Sequence, residues 1–161
     1  MENKQNLKSV KAEGTHKRKS KIKLILLIII GIAVIGISIA FAADAPQRKE
    51  LQTLVIGNVD FANLQDGTYV GEYKGSRGNL RDAGVEVTIL NGEITKIRIL
   101  KGALDSHGNP SELTGKITIE DLFQKAIELE SLEVDAISGA TLTSKAHLKA
   151  LENALKQAQK Q

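Results

Sequence analysis

Val85-Glu86-Val87-Thr88-Ile89-Leu90-Asn91-Gly92-Glu93-Ile94-Thr95-Lys96-Ile97-Arg98-Ile99-Leu100 carries the plainest structural pattern in the chain. Val85, Val87 and Ile89 alternate with Glu86 and Thr88, a period of two that gives a strand one apolar and one polar face. Asn91-Gly92 interrupts the alternation. That dipeptide suits a two-residue type I′ turn, in which both residues need positive φ. Ile94 to Leu100 then returns as the partner, so Val85–Leu100 is expected to form a β-hairpin.

The flanks extend this reading. Upstream, Asp66-Gly67 opens a domain and Thr68 to Tyr73 is strand-like, with Thr68, Val70 and Glu72 on one face and Tyr69 and Tyr73 on the other. Gly75-Ser76-Arg77-Gly78-Asn79 is a loop without the spacing of a phosphate-binding P-loop. Downstream, Gly102, Gly108, Pro110 and Gly115 punctuate an irregular stretch from Lys101 to Lys116. Thr118 is placed to cap a helix from Ile119, with Asp121 three residues on, close to a capping box. Leu122, Ala126 and Leu129 form its apolar stripe, with Phe123 and Ile127 beside it. A last helix is expected from about Thr143 to the C-terminus. Leu148, Leu151 and Leu155 mark its buried face and Ala146, Ala150 and Ala154 flank them. Strands first and helices later imply an α+β fold, a small antiparallel sheet with helices packed on it.

Charge divides the chain. Residues 1–23 hold eight Lys/Arg against two Asp/Glu, a net of +6, whereas residues 44–161 hold fourteen against seventeen, a net of −3. The folded part is therefore acidic, and no nucleic-acid partner is expected. Between the two lie twenty uncharged residues, Leu24 to Ala43, which as a helix span roughly 30 Å, the hydrocarbon thickness of a bilayer. Lys17, Arg18, Lys19, Lys21 and Lys23 precede the run directly, and only Arg48 and Lys49 follow closely. The positive-inside bias puts the N-terminus in the cytoplasm and residues 44–161 outside the cell membrane. Ala40-Phe41-Ala42 has the pattern of a signal-peptidase site. A cleaved signal peptide and an uncleaved anchor both export the domain, and the length of the run favours the anchor.

The organisation expected is a basic cytoplasmic head (1–23), a transmembrane helix (24–43), a linker (44–65) and a single domain (66–161). Pro46 is expected to stop the membrane helix. Leu51, Leu54 and Val55 suit either a short amphipathic helix against membrane or domain, or a partly ordered spacer. The absence of cysteine excludes disulfides, a thiol nucleophile and a lipid-anchoring thiol. His16, His107 and His147 are dispersed, so no metal site is expected.

Chemistry concentrates in Asp135-Ala136-Ile137-Ser138-Gly139-Ala140-Thr141, which runs into Leu142-Thr143-Ser144. Ser138, Thr141, Thr143 and Ser144 crowd hydroxyls at the start of the last helix. Gly139 and Ala140 remove bulk beside Thr141, so a group joined there approaches the backbone closely. The helix start offers unpaired N–H groups and partial positive charge, an environment for phosphate. The same residues also read as ordinary capping and turn chemistry. Arg77 and Arg81 suit either a phosphate contact or solvated loop charges.

The stretch from Leu132 to Ser144 resembles the attachment motif of the FMN-binding domain family, D-x-x-(S/T)-G-A-T. Asp66-Gly67-Thr68-Tyr69, Gly71 and the Asn91-Gly92-Glu93-Ile94 hairpin are similar to that family too, so the resemblance covers about residues 66–157. Related domains occur in flavin-bearing subunits of sodium-translocating NADH:quinone oxidoreductase, in Rnf complexes and in small extracytosolic flavoproteins. The chain looks like the last kind. The resemblance implies FMN esterified through its phosphate to Thr141 by a dedicated flavin transferase. Asp135, Ser138, Gly139, Ala140 and Thr143 would then recognise or line the site. A threonine hydroxyl is a weak nucleophile by itself, and the string holds no base but Asp135, so the transferase is expected to supply base and metal. The chain departs from the family in its short Gly102–Gly115 segment, which lacks a T-P-G-like motif and leaves contacts to the flavin ring fewer or to a partner. The function implied is electron relay between a membrane donor and an extracytosolic acceptor. The alternatives are an exported interaction or sensory module without redox cofactor, and a flavin enzyme that holds its cofactor noncovalently.

Overall fold

The structure, a computed structural model, describes residues 3–76 and 81–159. It divides into two units, Met1–Ala45 and Pro46–Gln161. The elements in chain order are α1 (Asn3–Thr53), β1 (Gly67–Tyr73), β2 (Ala83–Leu90), β3 (Glu93–Lys101), a 3-10 turn (Thr114–Lys116), α2 (Ile119–Glu128) and α3 (Thr141–Gln157). The fold is α+β, with one long apolar helix ahead of a three-stranded antiparallel sheet. Within α1, Ile22–Ile39 is long and apolar enough to cross a membrane, with a mean hydropathy of 2.9. Length and composition fit an anchor and a signal sequence alike.

The sheet has the order β1-β2-β3. Val85, Val87 and Ile89 of β2 are fully buried, and Asn91 and Gly92 take φ of 56° and 80° in the expected tight turn. The Asp66 carboxylate accepts the N–H groups of Asn91 (3.0 Å) and Gly92 (2.8 Å). This holds the tip of the hairpin to the start of β1.

Helix α3 lies on β1 and β2. Its leucines 148, 151 and 155 and its alanines 146, 150 and 154 are all buried, as their spacing predicts. Helix α2 begins with a complete capping box: Thr118 Oγ1 accepts the Asp121 N–H and the Asp121 carboxylate accepts the Thr118 N–H. Its buried face is Ile119, Leu122, Phe123 and Ala126. Leu129, expected to belong to this stripe, is exposed instead. The helix ends at Glu128, and Glu130 turns the chain with φ of 46°, so no further turn carries Leu129 back to the core.

One expectation near the membrane segment needs correction. Pro46 does not stop the helix, since α1 continues to Thr53. From Pro46 onward the chain groups with the folded unit. A proline inside a helix costs about 3 kcal/mol, and tertiary contacts offset it. Leu51 is fully buried, as is Leu64 farther on. Lys145 Nζ donates to the Gln52 carbonyl at 2.7 Å, and Lys149 Nζ to the Val55 carbonyl at 3.3 Å. The Lys145 ammonium stands where the last carbonyls of α1 lack intrahelical partners and its dipole is negative.

Candidate functional site at the start of the last helix

Helix α3 starts at Thr141, two residues earlier than its sequence pattern suggested. The cause is Ser144. Its backbone N–H donates to the Ala140 carbonyl at 2.9 Å. Its buried hydroxyl donates to that same oxygen at 3.1 Å and accepts the Ile137 N–H at 3.1 Å. The preceding turn is thereby stitched to the first helical turn. Gly139 makes the turn possible with φ of +77°, and a Cβ there would lie 2.7 Å from Thr114 Oγ1. Glycine is therefore required at this position for backbone reasons as well as for space beside Thr141.

The helix cap is Ala140, and no side chain caps it. The hydroxyls of the string are thus not spent on capping. The N–H groups of Thr141, Leu142 and Thr143 have no intrahelical acceptor by geometry, and the first turn carries no acidic residue. Thr141 is exposed as the first residue of the helix. A cavity of about 450 Å³ opens here, lined by residues 139–143 together with Arg48, Gln52 and Arg81. Among the described residues, no carboxylate lines it. Two guanidinium groups beside a helix start favour an anion. These residues fit the phosphate group of a mononucleotide.

Arg48 reaches this cavity because the last turns of α1 are held to the folded unit. Besides Leu51, the Glu50 carboxylate accepts the Tyr73 hydroxyl at 2.8 Å and the Ser76 N–H at 3.2 Å. The Ser76 hydroxyl, then that of Tyr73, hold the Glu50 carboxyl below its usual range. Burial, with Glu50 next, pushes the Tyr73 phenol up to about 12.

Of the residues singled out in the sequence, Gly139, Ala140, Thr141 and Thr143 share the cavity. Asp135 and Ser138 are exposed and lie outside its lining. Arg81 lines it, and Arg77 lies outside the described residues. Arg48 and Gln52 were not anticipated as site residues. No motif marks them, and Arg48 counted only as one of the sparse charges following the apolar run.

Beneath the site sits His147, buried on α3. Its Nδ1 donates to the Thr143 carbonyl at 2.8 Å, whereas the buried Nε2 has no hydrogen-bond partner. Gly102 packs so closely that a Cβ there would fall 2.9 Å from Nε2. Burial pushes the imidazole pKa below its ordinary 6.5. The native state therefore keeps His147 neutral at a pH where the unfolded chain already takes up a proton. That stability is full above pH 6.5 and is lost as pH falls through 6.5 toward the lowered native value. The thermal midpoint is expected to drop between pH 7.5 and 5.5, and His147→Gln to flatten this slope. Asp82, Asp105, Asp121 and Glu152 are held below ordinary carboxylate values, so their losses begin only in more acidic solution. A wild-type midpoint constant over that range would refute the assignment.

The family model of the FMN-binding domain matches residues 79–156. Residues 79–156 belong to the FMN-binding domain family. The match runs from the residues before β2 almost to the end of α3, and so includes Arg81 and the whole Asp135–Thr141 string. It leaves out β1 and α1, and with α1 the residues Arg48 and Gln52. Comparison with curated proteins gives no match. The FMN-binding domain here therefore borrows part of the wall around Thr141 from chain that precedes the family's own segment.

Proposed function

We propose that this protein is a membrane-anchored, extracytosolic flavoprotein that carries FMN as a phosphoester on Thr141 and relays electrons. The observation that carries the reading is the position of Thr141. It is exposed, it opens an uncapped helix, and it shares a cavity with two arginines inside a segment that matches the FMN-binding domain.

In the attachment step, Thr141 Oγ forms a bond to the phosphorus of an FMN group. That group must arrive on a leaving group better than hydroxide, such as a phosphoanhydride. The anhydride P–O bond breaks, its electron pair departs with the leaving phosphate, and the hydroxyl proton passes to a base of the flavin transferase. Among the described residues, no carboxylate or imidazole lines the cavity to take that proton, which supports an external catalyst. The chain is then the substrate of attachment rather than its agent. Arg48, Arg81 and the amides of Thr141 to Thr143 line the cavity and would hold the remaining phosphodiester charge. When bound, the flavin supplies one-electron and two-electron redox chemistry.

An ester bond suits a compartment where free FMN is dilute, because occupancy no longer depends on ligand concentration. The five cations from Lys17 to Lys23 support a cytoplasmic N-terminus and an exported domain. The apolar helix supports contact with membrane lipid and a membrane electron donor. Intact mass of protein purified from native membranes tests the whole reading. It is expected to equal the uncleaved chain plus one FMN less one water. Unmodified mass, in cells that flavinylate neighbouring proteins, would overturn it.

A further inference from the structure

We propose that the outer edge of β3, with the groove between it and α2, docks an extended protein segment that adds as a fourth strand and carries acidic side chains at alternate positions. The sheet has two outer strands, β1 and β3, and their edges differ. Along β1, the Gln157 side-chain amide donates to the Val70 carbonyl at 2.8 Å, and that of Asn153 to the Glu72 carbonyl at 2.9 Å. Side chains of α3 thus occupy acceptors that another strand would need. Nothing comparable protects β3. Among the described residues, no hydrogen bond from outside the sheet reaches the backbone of Glu93 to Leu100. Strand groups left in this state are a template for a further strand.

A groove of about 370 Å³ runs beside this edge, between Ile94 and Ile97 of β3 and Phe123 and Ile127 of α2. Ile94, Ile97 and Ile127 are only half-buried, so the chain itself does not complete their packing. Side chains of an added strand alternate between the two faces of the sheet. Those on the helix-covered face would enter the groove, which suits an apolar residue at every second position. Those on the opposite face would stand beside Lys96 and Arg98, which pair across from Thr88 and Glu86 of β2. Arg98 is shared with Glu86, whereas Lys96 is exposed and has no ion pair among the described residues. β3 carries three cations and one acid, in a part of the chain (44–161) whose net charge is −3. A second copy of the chain is the poorer occupant. Full antiparallel overlap of two β3 strands centres on Ile97 and sets Lys96 of one copy against Arg98 of the other, and like charges directly opposite destabilise. An acidic segment meets both cations favourably. The groove and the Thr141 cavity share no lining residue, so docking is compatible with flavin attachment and does not depend on it.

The test uses the full chain in detergent at low salt and a fluorescent, end-blocked peptide of alternating Val and Glu, matched to the nine residues of β3. Fluorescence anisotropy is expected to show saturable binding, and amide hydrogen exchange to slow over residues 93–101 but not over 67–73. The Val/Lys counterpart should bind about tenfold more weakly or worse. Of two Val/Glu peptides N-methylated at every Val or at every Glu, at least one should lose binding, because it keeps the side chains and lacks the ladder donors. Lys96→Glu should weaken the Val/Glu peptide about fivefold, the effect of reversing one cross-strand charge pair, with the thermal midpoint of the chain unchanged.

Equal affinity for the Val/Glu and Val/Lys peptides overturns the acidic occupant. Undiminished binding of both N-methylated peptides, or slowing confined to residues 119–128, overturns strand addition. A chain that sediments as a dimer, with residues 93–101 already protected in the absence of peptide, gives the edge to a second copy and overturns the proposal too. So does the absence of any binding at millimolar peptide.

Discussion

Thr141→Ala should abolish covalent flavin altogether while leaving the fold in place. On a denaturing gel of chain co-expressed with transferase, wild type should fluoresce and the variant should not. Its intact mass should be that of the bare polypeptide. The contrast is expected to be all or none, because Ala140 and Leu142 offer no hydroxyl and the neighbouring Ser144 is buried with its oxygen already engaged on both sides. Stability should hardly move. Thr141 is exposed, no side chain caps the helix, and the turn is held by Ser144 rather than by Thr141. Alanine is also the better helix former, so a change within about 0.5 kcal/mol is expected. A variant that stays flavinylated would place the acceptor elsewhere, with Ser138 and Thr143 the next residues to test. A variant that unfolds would show that the hydroxyl has a structural duty.

Gly71→Ala should be the most destabilising small substitution in the domain. A Cβ built on Gly71 would lie 2.0 Å from the Ala150 carbonyl oxygen and 2.4 Å from the Ala154 nitrogen. Both are backbone atoms of α3, so no flexible side chain is available to give way. The helix must lift off β1, and with it Leu148, Leu151 and Leu155 lose contact with the sheet. Overpacking of a core typically costs 1–3 kcal/mol, and a clash with backbone should cost more, on the order of 4 kcal/mol. A domain of this size has only about 5–15 kcal/mol in hand, so Gly71→Val should fail to fold at room temperature. Thermal melts followed by circular dichroism test this, with Val70→Ala on the exposed face of the same strand as the control. A Gly71→Ala midpoint within two or three degrees of wild type would mean that α3 does not sit on β1 as closely as described.

Some of the molecule was legible from neighbouring residues alone. The hairpin followed from alternation and Asn91-Gly92, because side-chain period and turn geometry are set within a few residues. The start of α2 followed from Thr118 and Asp121 for the same reason. The buried face of α3 followed from the repeat of Leu and Ala, yet its first residue did not. Ser144 begins the helix early by bonding back to Ala140 and Ile137, and this local hydroxyl bond has no counterpart in hydrophobic periodicity.

The helix-start side of the cavity, Gly139 to Thr143, stood in the sequence as a contiguous string, since a helix start and the turn before it are short-range structures. The opposing wall did not. Arg48 lies 93 positions from Thr141, on a helix that crosses a proline and ahead of any recognisable domain boundary. Its place depends on Leu51 finding the core, on Glu50 meeting Tyr73, and on Lys145 reaching the carbonyl of Gln52. Each of those contacts joins residues that carry no mark of one another along the chain. Local chemistry named the residue that can hold a phosphate. Long-range packing chose the charges that surround it, because burial and ion placement are properties of the assembled core and not of any single segment.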